Sequence, residues 1–226
     1  MIGFFDYTTI LTYLSLVSAT LGIVSSLSGA GHPFIGSFFL LFCGLCDAFD
    51  GKVARTKSNR TEKEKNYGIQ IDSLSDVIAF GLLPGCIGVA LWRRLSLNGS
   101  DLIREDYNIL VYTIIALYAL AALIRLAYFN VTEMERQQVE TGVRKTYTGL
   151  PVTSAALIFP SIMLIHYVLE RDITPIYLAA MLITAFAFLA KFKIPKPGLR
   201  GILIMIGIGL VECGVLLFFF LQRGPL

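Results

Sequence analysis

Seven stretches of this chain are apolar over about the length that carries a helix across a bilayer, roughly 20 residues. They lie at 8–28, 33–54, 71–92, 107–129, 150–169, 174–190 and 201–221. The sixth is short and either tilts or pairs closely with the fifth across the tight Glu170–Thr174 turn, which gives six to seven spans. Charge agrees with this: 15% of the residues are charged and the mean hydropathy is +0.70, whereas a soluble domain has about a quarter of its residues charged. The expected fold class is all-α, a polytopic membrane helix bundle forming a single transmembrane domain over 1–226. The first stretch has no Lys or Arg before it and no small-residue cleavage site after it, so it reads as a retained helix rather than a signal peptide.

Lys and Arg set the orientation. With the N-terminus inside, the inner segments 52–70, 130–149 and 191–200 hold six, three and four of them, thirteen of nineteen. The outer segments hold five, and Arg125 lies within a span. The net charge of +3 is mostly this inner-loop bias and points to no nucleic acid. Cys43-x-x-Cys46 resembles half a zinc site, but no second Cys or His pair accompanies it. Cys43, Cys46, Cys86 and Cys213 read as packing residues within spans, and His32 and His166 stand singly.

Carboxylates inside apolar helices need a reason, because each costs roughly 2.5 kcal/mol or more at mid-span. Two adjacent spans carry two each: Asp47-Ala-Phe-Asp50, and Asp72-Ser-Leu-Ser-Asp76. Spacings of three and four put each pair on one helical face. At about 100° per residue, Asp47, Asp50, Gly51 and Ala54 share an arc of about 100°. Gly68, Asp72 and Asp76 share about 80°, provided that their helix begins early enough to include Gly68. Both pairs fall at the inner ends of their spans, joined by a polar loop of about a dozen residues rich in Lys and Glu. Four carboxylates so placed repel one another unless cations intervene. Hard divalent ions such as Mg²⁺ or Mn²⁺ suit oxygen donors, and two such ions can clamp both oxygens of a displacement at phosphorus. An ion-pair cluster with Lys52, Arg55 or Arg125 is the competing explanation, and it leaves the small residues beside the aspartates unexplained.

The pattern Asp47-x-x-Asp50-Gly51-x-x-Ala54-Arg55 followed by Gly68-x-x-x-Asp72-x-x-x-Asp76 resembles the signature of the CDP-alcohol phosphotransferase family. All eight positions match in order. The family usually places eight residues between the Arg and the next Gly, and this chain has twelve, Thr56–Tyr67. The resemblance implies that family's membrane fold and transfer of a substituted phosphate from a CDP-linked donor to an alcohol, with release of CMP. It implies that Asp47, Asp50, Asp72 and Asp76 ligate two divalent cations, and that Asp76 is also the general base. Asp47, Gly51, Ala54, Arg55, Gly68 and Asp72 would form the CDP site.

The stretch Asp72–Gly81, together with Arg125-Leu-Ala-Tyr-Phe-Asn130 and Tyr147-Thr-Gly-Leu-Pro151, is similar to the phosphatidylserine synthase branch. Tyr128 stands where a second Arg is common. The similarity runs from about 40 to 155, and the later spans 174–190 and 201–221 match only as apolar segments. The branch implies CDP-diacylglycerol or an ether-lipid equivalent as donor, L-serine as acceptor, a homodimer, and a prokaryotic plasma membrane with the site facing the cytoplasm. Arg125 could hold the serine carboxylate, with Asn130, Lys145 and Thr148 as further contacts. Alternatively, Arg125 snorkels to the interface, and Thr148-Gly149-Leu150-Pro151 is ordinary helix-entry chemistry.

Two other functions stay in view. Glycerol phosphate, inositol phosphate or another alcohol could be the acceptor, and the loop 130–149 offers Arg136, Arg144 and Lys145 for a second phosphate. A cation transporter or channel would use the aspartates as an ion site, but such sites lie near mid-membrane between broken helices. Glu212 in the last span has no assigned role; it could face a partner subunit or a polar cleft.

Overall fold

The computed structural model describes residues 3–4, 6–29, 31–97, 101–139, 146–169 and 172–223. Its helices are α1 (Ile10–Leu27), α2 (Pro33–Ala54), α3 (Glu62–Asp76), α4 (Leu83–Leu97), α5 (Asp101–Val139), α6 (Ala155–Leu169), α7 (Thr174–Leu189) and α8 (Leu199–Arg223). A π-helical segment, Val77–Leu82, joins α3 to α4 in one continuous rod. Among the described residues, five helices are long and apolar enough to span a membrane: Tyr7–Leu27, Pro33–Ala54, Glu62–Arg94, Tyr107–Arg136 and Leu199–Gln222. Two shorter apolar helices, Val152–His166 and Thr174–Leu189, complete a polytopic all-α bundle.

Two helices run well beyond the expected spans, and a small sheet is added. The third span starts at Glu62 rather than near 71, so much of the supposed polar loop Thr56–Tyr67 is helix. The cause is a capping box: the Thr61 hydroxyl accepts from the Glu64 N–H at 3.2 Å, and the Glu64 carboxylate accepts from the Thr61 N–H at 2.7 Å. Likewise α5 runs from Asp101 to Val139, well beyond 107–129, so the expected inner segment 130–149 is helical over its first half. The remaining addition is a two-stranded antiparallel sheet, β1 (Thr146–Thr148) with β2 (Lys193–Pro195), pairing Tyr147 with Ile194.

Inside the bundle, α1 lies along α2 and α5 along α7. Small residues permit the close approaches that membrane helices rely on: a Cβ on Gly44 would stand 2.5 Å from that of Ala156, which brings α6 against α2 one turn before Asp47. Four buried rings form the centre, Tyr118 meeting Phe159 at 5.4 Å and Phe188 at 5.6 Å, and Phe159 meeting Tyr177 at 5.0 Å. Their hydroxyls also serve the backbone. Pro84 has no N–H to return to the Phe80 carbonyl four residues earlier, and the Tyr118 hydroxyl donates to that carbonyl at 2.7 Å. The Tyr177 hydroxyl donates to the Pro84 carbonyl at 2.9 Å. Without water, such carbonyls need protein donors. Glu212 faces α6 of its own chain, where it is buried and accepts from the Ser161 hydroxyl. On α7, Ile183, Phe186 and Leu189 are 69%, 81% and 49% exposed at a spacing of three, an apolar outer face that suits lipid or protein contact.

Candidate active site

The last two turns of α2 present Asp47 and Asp50, and the second half of α3 presents Asp72 and Asp76. Because α3 begins at Glu62, Gly68 is helical and shares the Asp72 and Asp76 face, which was the condition the sequence left open. The crossing of α2 and α3 brings three of these side chains together: Asp47, Asp50 and Asp72 each offer a carboxylate oxygen, all within 4.8 Å of one another. Asp76 is outside that group of three, one turn deeper on α3, and is 8% exposed.

Two serines between the α3 aspartates hold this segment in place. The Ser73 hydroxyl accepts from the Asn130 side-chain amide of α5 at 2.7 Å. The Ser75 hydroxyl donates to the Thr12 carbonyl of α1 at 3.3 Å. Asp72 and Asp76 therefore sit on a stretch of helix bonded to a neighbour on each side. Neither serine was singled out from the sequence, although an Asp-Ser-x-Ser-Asp alternation in a span is a signal that polar residues between the acids need partners too.

The chemistry of the donor set fits a hard divalent cation. Among the described residues, no Lys or Arg forms an ion pair within 4 Å of any of the four aspartates. Lys52 lies instead over the Phe49 ring at 5.2 Å. Three carboxylates this close, with no protein cation beside them, make a strongly negative all-oxygen cradle. The ion-pair cluster considered from the sequence is thus not what the aspartates form.

Toward the loop 55–61, the two motif glycines each lie under a guanidinium. A Cβ on Gly51 would stand 3.4 Å from Nη1 of Arg55, and one on Gly68 would stand 2.6 Å from Nη2 of Arg60. Ala54, half-buried, lies on the same arc of α2 as Gly51. The loop 55–61 is tied down at Lys57, whose ammonium donates at 2.8 Å to both Asp6 and Glu64. Asp6 also accepts from the backbone N–H and hydroxyl of Thr8. The Lys57 ammonium holds the Asp6 carboxyl down from 3.8 to about 2, and the same contacts raise the Lys57 ammonium.

The residues expected at the acceptor end are Arg125, Asn130, Lys145 and Thr148. Arg125 is buried, 6% exposed, with Nε donating to the Leu150 carbonyl at 3.2 Å and its guanidinium 5.4 Å from the Phe129 ring centre. That bond fixes the Thr148-Gly149-Leu150-Pro151 turn to α5. Asn130 reaches the site through Ser73, beside Asp72. Thr148 belongs to β1, opposite Lys193, and Lys145 lies outside the described residues. Gly149 has a φ of 75°, and a Cβ there would meet the carbonyls of Phe188 at 2.8 Å and Ala190 at 3.0 Å. Glycine is required at that position. Cys43 packs as expected, donating its thiol to the Ser15 carbonyl at 3.3 Å.

Comparison with known proteins adds the following. A family model described as CDP-alcohol phosphatidyltransferase matches residues 6–211. The chain is 26% identical over 183 residues to a CDP-diacylglycerol–serine O-phosphatidyltransferase of Helicobacter pylori, covering 79% of this chain and 68% of that protein. It is 30% identical over 160 residues to a Saccharomyces cerevisiae protein of the same name, covering 68% of this chain but only 51% of the yeast protein. It is 30% identical over 192 residues to an archaetidylserine synthase of Methanothermobacter thermautotrophicus, covering 85% of this chain and 70% of that one.

Proposed function

The chain belongs to the CDP-alcohol phosphatidyltransferase family, and from that premise we propose that it transfers a phosphatidyl group from CDP-diacylglycerol to the hydroxyl of L-serine, forming phosphatidylserine and CMP. The observation that carries this reading is the aspartate group itself. Three carboxylates whose oxygens lie within 4.8 Å of one another at the end of two spans, beside glycines under arginines, suit a diphosphate donor and its counter-ions. The acceptor rests on the relatives named for serine or archaetidylserine products.

Asp47, Asp50 and Asp72 would hold divalent cations, Mg²⁺ or Mn²⁺, with Asp76 as a further ligand. When bound, such ions supply neutralisation of the diphosphate charge. The chain's own residues divide the remaining work. Gly51, Ala54 and Gly68 leave room for the nucleotide, and Arg55 pairs with a phosphate. Asp76 accepts the proton of the serine hydroxyl as its oxygen forms the new bond to the lipid-side phosphorus. The bond from that phosphorus to the bridging oxygen breaks, and CMP carries away the bond's electron pair. Asp76 is buried among apolar helices, which limits the access of bulk water, the competing acceptor, to the base.

Thirteen of nineteen basic residues in the inner segments support a site facing the cytoplasm of the plasma membrane. The lipid tails would then enter from the inner leaflet while serine arrives from the aqueous side. CMP release measured with CDP-diacylglycerol, Mg²⁺ or Mn²⁺, and serine, glycerol phosphate or inositol phosphate in parallel tests the acceptor. The reading requires serine to give the fastest release by at least about tenfold; equal or greater release with a phosphorylated alcohol contradicts it. An ether-lipid CDP donor run beside the ester donor discriminates the two donor classes.

A further inference from the structure

Of the two guanidiniums that overlie the motif glycines, Arg55 belongs to the family pattern and Arg60 does not. We propose that Arg60 is a second phosphate-binding residue for the CDP-linked donor, supplied by the lengthened loop between Arg55 and Gly68. The proposal rests on the donor reading given above and assigns within it a contact that the motif leaves out.

Position is the first argument. The side chain that Gly68 lacks would project along the stripe of α3 that carries Asp72 and Asp76, because residues four and eight further on lie within about 80° of it. Nη2 of Arg60 stands 2.6 Å from that point. The guanidinium is therefore on the acidic face of α3. It occupies space that a side chain at 68 would contest, pushing the end of the arginine aside.

The second argument is how firmly it is presented. Lys57 is held to Asp6 and Glu64 at 2.8 Å each, and Thr61 is locked into the capping box of α3. Arg60 lies between these two fixed points, and its Nη2 donates to the Glu64 carbonyl at 3.1 Å. Ordering a long, mobile side chain costs on the order of 2 kcal/mol of rotamer entropy. Here the bond from Nη2 to the Glu64 carbonyl already restricts that side chain.

Third, the group is incomplete as it stands. Nε of Arg60 is buried and has no hydrogen-bond partner, and among the described residues no carboxylate lies within 4 Å of its guanidinium. A buried N–H on a charged group without an acceptor is unfavourable. Phosphate oxygens are acceptors of the right charge, and the guanidinium fork suits them. Arg55 over Gly51 of α2 and Arg60 over Gly68 of α3 would then grip the diphosphate from the loop that joins the two helices, with the aspartate group one turn deeper. Part of the family's insertion-tolerant loop thus has a ligand role in this chain.

Binding measured without turnover tests the idea. The detergent-solubilised full chain, with Mg²⁺ present, is titrated with CDP and with CMP by calorimetry, and its ligand-free melting is recorded. Arg60→Gln is expected to weaken CDP binding about tenfold, equivalent to 1.4 kcal/mol, and CMP binding less, because CMP lacks the second phosphate. Its ligand-free Tm should match that of the unaltered chain, and Arg60→Lys should recover part of the CDP affinity. Gly68→Ala, which pushes Nη2 aside, should weaken CDP binding in the unaltered chain but add little to Arg60→Gln. Equal CDP affinity in Arg60→Gln, or equal losses for CDP and CMP with a lowered ligand-free Tm that Lys does not restore, would overturn the assignment and leave the donor reading standing. Failure of the unaltered chain to bind CDP would overturn the donor reading, and this assignment with it.

Discussion

Asn130 on α5 donates its side-chain amide to the Ser73 hydroxyl at 2.7 Å, one residue from Asp72. The residue that the resemblance offers as an acceptor contact also bonds two helices together at the acidic site. A hydrogen bond of this kind contributes on the order of 1 kcal/mol, and its geometric effect on Asp72 matters more. Asn130→Ala and Ser73→Ala are each expected to lower turnover several-fold with similar losses of Tm. The double variant should be no worse than the worse single one, the signature of one shared contact. Additive losses, read from CMP release and thermal melting, would show that Asn130 acts elsewhere.

Gly149 gives a stability prediction. Its φ of 75° and the three carbonyls, Phe188, Ala190 and Ala187, within 3.4 Å of a Cβ placed there exclude any side chain without movement of the end of α7. Left-handed backbone alone costs a non-glycine residue about 1–2 kcal/mol, and the clash adds to it. Gly149→Ala should lower the Tm by several degrees and loosen the turn that Arg125 holds through the Leu150 carbonyl. Unchanged melting would contradict the geometry drawn for β1 and α7.

The Asp6–Lys57 pair predicts a pH dependence. Asp6 titrates at about 2 in the folded chain against an ordinary 3.8, so its stabilisation is fully present above about pH 4 and disappears as pH falls toward 2. Both side chains are about one-fifth exposed, so the gain is small, in keeping with surface pairs. Melting curves of the unaltered chain and Asp6→Asn should differ slightly at pH 6 and converge as the pH approaches 2. A difference that persists at that pH would mean that Asp6 acts through its shape rather than its charge.

Much of this arrangement is legible in the residues alone, for identifiable physical reasons. Apolar runs announce spans, and aspartates in the wrong solvent announce a site, so α2 and the acidic pairs needed no coordinates. The start of α3 was missed because Glu62–Tyr67 is polar and hydropathy is silent about a helix that leaves the membrane. The Thr61-x-x-Glu64 capping box carried that information. The extension of α5 to Val139 was hidden in the same way. Pairing of Tyr147 with Ile194 joins segments nearly fifty residues apart, and no local pattern encodes it. Arg60 could not be placed either: its closeness to Gly68 depends on a loop anchored through Lys57 to Asp6, near the start of the chain.

Asp76 as the base for the acceptor proton and a further ligand, and Asp47, Asp50 and Asp72 as the main holders of the cations, make different demands on turnover and on binding. CMP release from CDP-diacylglycerol and serine is measured for the unaltered chain, Asp76→Asn and Asp72→Asn, together with Mg²⁺-dependent CDP binding by each. General-base removal typically costs 10²–10⁴-fold. Asp76→Asn is expected to lose turnover on about that scale while still binding CDP in a Mg²⁺-dependent way, and Asp72→Asn to lose both. Asp76→Asn turning over at a rate close to that of the unaltered chain, or Asp72→Asn keeping full Mg²⁺-dependent CDP binding, would contradict this division of roles.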